Sequence, residues 1–182
     1  MGIEPHDDVI SLLTQDHEAV KQRMAEFDNA SPEVRAELFW KLTDQLVRHE
    51  VAEETIVYPA LRKAPGGDAL ADARQQEEAE AEQQLARMEK MDPTTEEFMG
   101  ALRDLRQSVL AHAEKEERDT FPVLLANEDL DSLLRLGQKF KSAKLAAPNH
   151  PHPHTPNTAT ANKLLGPIAS FFDRVRYSVK SA

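Results

Sequence analysis

The sequence contains no cysteine. That absence removes disulfides, zinc–thiolate sites, iron–sulfur clusters and thiol catalysis, so any metal here has to use histidine, carboxylate or tyrosine ligands. Glycine is scarce, with 6 residues in 182, and aromatics make up only 5%. A chain this poor in sheet-favouring aromatics and rich in Ala, Glu, Leu, Lys and Arg is expected to be helical. Long apolar runs are missing too. None approaches the roughly 20 residues of a bilayer span, and the N-terminus lacks a basic-then-apolar leader pattern, so a soluble cytoplasmic protein without a membrane span is the expectation. Positive charge is also short. The net charge of −10 offers no overall field to gather phosphates, and no nucleic-acid partner is expected.

What is present is helical periodicity. Val9, Leu13, Val20, Met24 and Phe27 keep a three-and-four spacing, with His17 filling its gap. Ser31-Pro32 reads as an N-cap followed by proline at the first helical position. The helix it opens carries Leu38, Leu42, Leu46, His49, Glu53 and Ile56 on one stripe and is expected to stop at Pro59. Ala64-Pro65-Gly66-Gly67 is a loop. A third helix runs from about Asp68 to Lys90 with Glu78, Ala81, Leu85 and Met88 aligned, and Asp92-Pro93-Thr94 forms the next turn. The fourth places Phe98, Leu102, Leu105, Val109, His112 and Glu116 on one face and is expected to end near Pro122. Four amphipathic helices with short connections predict an all-α, up-down-up-down four-helix bundle over residues 1–127. A short accessory helix is expected within 128–147, then a Pro/His linker over 148–161 in which His150, His152 and His154 alternate with proline. A final amphipathic helix is expected over 162–182. Its net charge of +3, opposite to the chain as a whole, suits an anionic membrane surface, a partner, or its own bundle.

The chain repeats itself. Leu46 to Glu54 matches Val109 to Glu117, and Tyr58-Pro59-Ala60-Leu61 matches Phe121-Pro122-Val123-Leu124, at a constant offset of 63 residues. Val20, Met24 and Phe27 pair with Ala81, Leu85 and Met88 at an offset of 61, which sets His17 opposite Glu78. Two helical hairpins of one design, related by a pseudo-two-fold axis, present equivalent residues to a shared centre.

His-x-x-x-Glu occurs at both equivalent places, His49/Glu53 and His112/Glu116. Positions i and i+4 share a helix face, so one cation can take both side chains. These residues and His17 lie inside apolar stripes, where an unpaired carboxylate costs several kcal/mol, a few at the least. A bound cation is the economical remedy. A lone histidine in such a stripe, or a single His-x-x-x-Glu, would mean little in a Glu-rich chain; two in register plus a histidine on an independent helix mean a metal site. Glu50, Glu54, Glu114 and Glu117 read as solvated neighbours.

Taken together, these motifs resemble the hemerythrin-like, or HHE cation-binding, family across residues 6 to 125. Asp16-His17-Glu18 supplies the first-helix histidine, His49/Glu53 and His112/Glu116 the two paired motifs, and Glu53-Glu54 followed by Tyr58-Pro59-Ala60-Leu61 is also typical. The resemblance implies two iron ions bridged by Glu53, Glu116 and an oxo or hydroxo group, although manganese or zinc would accept the same donors. The third helix departs from the family by having no histidine. The repeat puts Glu78 in that slot, with Gln75 and Glu82 one turn away as alternatives. Tyr58 faces Phe121 in the repeat, so it is either a core aromatic or, if the helix unwinds before Pro59, a ligand or electron relay. An anionic donor in place of imidazole favours the ferric state. The implied activity is therefore binding and decomposition of peroxide or nitric oxide, catalase- or peroxidase-like, rather than oxygen carriage. The alternative is an oxygen, nitric oxide or iron sensor without turnover. The implied partners are small diatomic or peroxide ligands, and the implied assembly is a monomer or homodimer.

Overall fold

The computed structural model describes residues 7–147; the expected Pro/His linker and C-terminal helix lie outside the described residues. Helix α1 (Val9–Glu26) opens on Asp8, whose carboxylate accepts the Ser11 backbone N–H at 3.0 Å. Phe27–Asn29 closes it with one tight 3₁₀ turn. Helix α2 (Pro32–Ala52) starts with Pro32 at the first helical position, as read from the sequence, but the Ser31 side chain makes no capping bond to the helix. Helix α4 (Gly67–Met88) follows α2 and its short continuation α3 (Tyr58–Leu61), and α5 (Glu96–Lys115) opens on a Thr95 cap to the Phe98 N–H. Helix α5 continues into α6 (Phe121–Asn127), and α7 (Leu130–Ala146) opens on an Asp129 cap.

Two expected helix ends are corrected. The second helix does not stop at Pro59, nor the fourth near Pro122. At Glu53–Val57 and again at Glu116–Thr120 the helix widens into a single π turn, in which the Tyr58 and Phe121 N–H groups reach back five residues to the Glu53 and Glu116 carbonyls. A proline in a regular α-helix clashes with the carbonyl four residues earlier and lacks its own donor. The wider turn moves that carbonyl aside, so each chain passes its proline and continues to Leu61 and Asn127.

The tight corner before α4 depends on glycine. Gly66 takes φ 78°, and a side chain on Gly67 would overlap the Leu61 carbonyl. Helix α7, expected as an accessory element, packs as a fifth helix across α1 and α2. Its Leu133 and Phe140 join Val9, Leu13, Ala52, Tyr58 and Phe121 in one apolar cluster, while Val20, Met24, Phe27, Leu42, Leu85, Phe98 and Leu105 form a second. Each bundle helix leaves one cluster and enters the other through a polar step. On α1 His17 lies between Leu13 and Val20; on α2 His49 lies between Leu46 and Ala52; on α4 Glu78 lies between Ala71 and Ala81; and beyond Val109 on α5 come His112 and Glu116. The candidate site is the polar layer between two dry cores.

Candidate metal centre

Both π turns begin at the glutamate of a His-x-x-x-Glu motif. Glu53 and Glu116 are wholly buried, and Glu78, His17 and His49 nearly so. The Nε2 of His17 lies 3.3 Å from Glu116 Oε2, that of His49 3.2 Å from Glu53 Oε2, and that of His112 3.6 Å from Glu116 Oε2. Donor atoms of His17, His49, Glu53 and Glu116 lie within 4.8 Å of one another, as do those of Glu53, Glu78 and His112. Glu53 belongs to both groups, so the geometry contains two adjacent cation-sized clusters joined at one carboxylate.

The outer nitrogen of each histidine is tied down. His17 Nδ1 meets Glu117 at 2.8 Å, His49 Nδ1 meets Asp16 at 3.1 Å, and His112 Nδ1 meets Glu77 at 3.0 Å. A carboxylate on Nδ1 holds the proton there and turns the Nε2 lone pair inward, the arrangement that supports metal-ligating histidines. Asp16, Glu77 and Glu117 were not identified as functional from the sequence, and Glu117, expected as a solvated neighbour, has this contact. The repeat carried a usable signal: the offset of 61 that pairs His17 with Glu78 also pairs Asp16 with Glu77, one residue earlier. Glu50 is a clearer correction. Expected at the surface, it is buried, and its Oε2 has no hydrogen-bond partner.

Tyr58 sits inside the layer. Its hydroxyl donates to Glu78 Oε1 and lies 3.2 Å from Glu116 Oε1. Its counterpart Phe121 stacks on His17, with ring centroids 5.8 Å apart. The two half-sites are thus matched variants: a phenyl ring against imidazole in one, a phenol hydrogen-bonded to carboxylate in the other. The helix does not unwind before Pro59, and the phenol is held as a donor. Burial, followed by the repulsion of Glu53, Glu116 and Glu78, pushes its pKa well above the ordinary value.

The electrostatics of the layer favour a cation. Burial, and after it the repulsion of neighbouring carboxylates (Glu82 and Glu54 at Glu50, Glu116 and Glu78 at Glu53, Glu50 at Glu78), pushes the Glu50, Glu53 and Glu78 carboxyls well above the usual range. Burial would raise Glu116 too, but His17, His112 and His49 beside it bring it down to about 2. Burial also opposes charge on His17, yet Glu116 and Glu117 raise its pKa, whereas burial dominates at His49 and lowers it. Both oxygens of Glu53, one oxygen each of Glu78 and Glu116, and the Nε2 atoms of His17 and His112 have no hydrogen-bond partner. Native interiors rarely leave so many buried polar atoms unpaired, and divalent or trivalent cations in the two joined clusters would satisfy them. The donors are nitrogen and oxygen only, a set that suits iron, manganese or zinc.

Beside the layer lies a cavity of about 30 Å³ lined by His17, His49, Glu50, Glu78 and His112, and closed by Val20, Leu46, Ala81 and Val109.

The sequence profile of the hemerythrin HHE cation-binding domain matches residues 8–124. The chain belongs to this family. Among hemerythrin-like relatives, a protein of Schizosaccharomyces pombe is 29% identical over 134 residues, covering 72% of this chain and 66% of that protein. A DNA nickase of Nostoc sp. is 27% identical over 135 residues, covering 73% of this chain but 38% of the nickase. The chain thus spans slightly under two thirds of the first relative and well under half of the second. No solved structure gives a significant match. The hemerythrin match ends before α7, and no described helix is long and apolar enough to cross a membrane.

Proposed function

We propose that this hemerythrin-like protein holds two iron ions in the joined clusters and binds and decomposes peroxide or nitric oxide there. His17, His49 and Glu116 would serve one ion, His112 and Glu78 the other, with Glu53 and Glu116 spanning the pair. The observation that carries this reading is the orientation of the three histidines: each Nδ1 is fixed by a carboxylate, and each Nε2 faces buried carboxylate oxygens, most of which lack partners. Bound iron would supply Lewis acidity and redox equivalents for a small oxidant. Glu78, where the family pattern has histidine, adds an anionic donor that favours the oxidised metal. Tyr58 holds Glu78 in place through its hydroxyl. Glu50 presents an unpartnered carboxyl oxygen and lines the cavity, where it can hydrogen-bond an incoming ligand.

Cavity size limits that ligand. A volume of about 30 Å³ accepts a molecule the size of water, oxygen, nitric oxide or hydrogen peroxide. The same small cavity supports a second reading, an oxygen or nitric oxide sensor that binds without turnover. Anaerobic reconstitution with ferrous iron, metal analysis and peroxide-consumption assays separate the two. The first reading expects about two irons per chain (the number of joined clusters) and turnover lost in Glu53→Ala and His112→Ala. Stoichiometric iron without turnover would leave the sensor, and iron far below that ratio would remove the di-iron centre.

A further inference from the structure

Helix α7 lies beyond the family match, yet it reaches the candidate centre. The Lys144 ammonium bonds both oxygens of Asp16, at 2.6 and 2.5 Å, and Asp16 Oδ2 meets His49 Nδ1 at 3.1 Å. One turn earlier, Phe140 sets its ring edge-on to His49, with centroids 6.0 Å apart, and the Lys144 ammonium lies 5.6 Å from the Phe140 ring centre. The backbone around Lys144 is fixed as well. Arg48, paired with Asp44, donates to the Lys144 carbonyl at 2.8 Å. Gly137 brings α7 so close to the start of α1 that a Cβ there would overlap the Asp7 carbonyl.

The repeat shows what is particular about this contact. In the other hairpin Glu77 supports His112 and is itself held by Lys115 at 2.5 Å and Arg74 at 3.1 Å, both from α4 and α5 within the family segment. Asp16, the repeat equivalent of Glu77, takes its lysine from α7. A floppy surface ion pair would contribute little. This one is different in kind: the Lys144 side chain is 27% exposed and that of Asp16 17%, and the far end of the chain of contacts is a buried imidazole.

We infer that Lys144 is a positioning residue for the metal centre, acting through Asp16 to hold the His49 ring with Nδ1–H outward and Nε2 toward the cation, so that α7 is a working part of the centre. This rests on the metal-centre reading above. An Asp16 carboxylate gripped by both oxygens cannot swing to solvent, and His49 keeps its partner. Without the ammonium, Asp16 is free to rotate and His49 can adopt either tautomer.

The test uses the full chain with Lys144→Met, which keeps the aliphatic stem, Lys144→Gln as a second uncharged variant, and Lys144→Arg. In metal-free protein, long-range proton–nitrogen NMR correlations report the His49 tautomer. Wild type and Lys144→Arg should show His49 protonated at Nδ1, and the two uncharged variants a mixture, with the signals of His112 unchanged. Cobalt(II) affinity, measured by chelator competition, should fall roughly 10-fold in the uncharged variants, the lower end of what loss of such support costs, and recover in Lys144→Arg. Wild-type His49 signals together with wild-type cobalt affinity in Lys144→Met and Lys144→Gln would overturn the inference. If wild-type protein took up no cobalt, the metal-centre reading would fall, while the His49 ring signals would still decide the role of Lys144.

Discussion

Glu77 lies outside the two candidate clusters but holds one of their histidines. It accepts from His112 Nδ1 and binds Lys115 and Arg74, so Glu77→Gln removes a charge that three partners share. Loss of such outer support lowers metal affinity by roughly 10- to 100-fold. Chelator competition should show that loss in Glu77→Gln, while an unchanged affinity would mean that His112 needs no anchor. Tyr58→Phe addresses the phenol. It strips the hydrogen-bond donor from Glu78 and Glu116 and should cost about 1–3 kcal/mol of stability in metal-free protein, the penalty for leaving a buried acceptor unpaired. Because the phenol is held as a donor, the visible spectrum of the iron-loaded variant should match wild type. Loss of a broad visible band in Tyr58→Phe would instead make Tyr58 a ligand. At this scale the sequence was legible where chemistry repeats: His17, His49, Glu53, Glu78, His112 and Glu116 all fall in one layer, buried except for the partly exposed His112, and the offsets alone pointed to Glu78. It was opaque for Glu50, which follows His49 in a Glu-rich run. Helical phase places Glu50 at the edge of the apolar stripe, and only the packing of the neighbouring helices decides that it is buried.

Helices and turns tell a similar story. The four amphipathic stripes gave the bundle directly, because a period near 3.6 residues forces one apolar face per helix. The two prolines misled for a physical reason: they do end ordinary α-helices, and nothing in residue identity announces a π turn that lets the chain pass. Those turns sit at the same place in both repeats, one helical turn after the motif histidines and starting on Glu53 and Glu116, so the backbone irregularity and the candidate ligands coincide. Helix α7 was read as accessory because its apolar positions alone do not say what they pack on. Its contribution can be measured with Gly137→Ala. The new methyl overlaps the Asp7 carbonyl and would push α7 away from α1. Overpacking of this kind costs about 1–3 kcal/mol, read by urea denaturation. Cobalt affinity should fall with it, since α7 carries Phe140 and Lys144 against His49 and Asp16. A variant as unstable as expected but with undiminished affinity would uncouple α7 from the centre.

For the molecule as a whole, a layer of buried carboxyls between two apolar cores makes stability depend on what neutralises that layer. In metal-free protein Glu50, Glu53 and Glu78 have pKa values raised well above their ordinary 4.5, by burial first and then by neighbouring carboxylates: Glu82 and Glu54 beside Glu50, Glu116 and Glu78 beside Glu53, and Glu50 beside Glu78. The folded state therefore binds more protons than the unfolded state above that pH. Stability then falls as pH rises from about 4.5 toward the folded-state values, by up to about 1.4 kcal/mol per pH unit for each group titrating. His17, also raised, acts in the same direction from its ordinary 6.5 upward, whereas His49, lowered, offsets part of it. Glu116 has the opposite sense. Held down to about 2, it contributes stability above pH 4.5 that is lost only as pH falls toward 2, so it is constant across the neutral range. Metal-free protein should accordingly melt at lower temperature at pH 8 than at pH 5.5. A bound cation replaces those protons, so saturating iron or zinc should raise the midpoint most at the higher pH. Glu78→Gln supplies the control, because it removes one raised carboxyl while keeping its shape. Metal-free Glu78→Gln should exceed metal-free wild type in stability at pH 8, and the gap should close toward pH 5. Metal-free melting temperatures that stay level or climb between pH 5.5 and 8 would show that the layer is not neutralised by protons, and with that the electrostatic case for a cation would lose its footing.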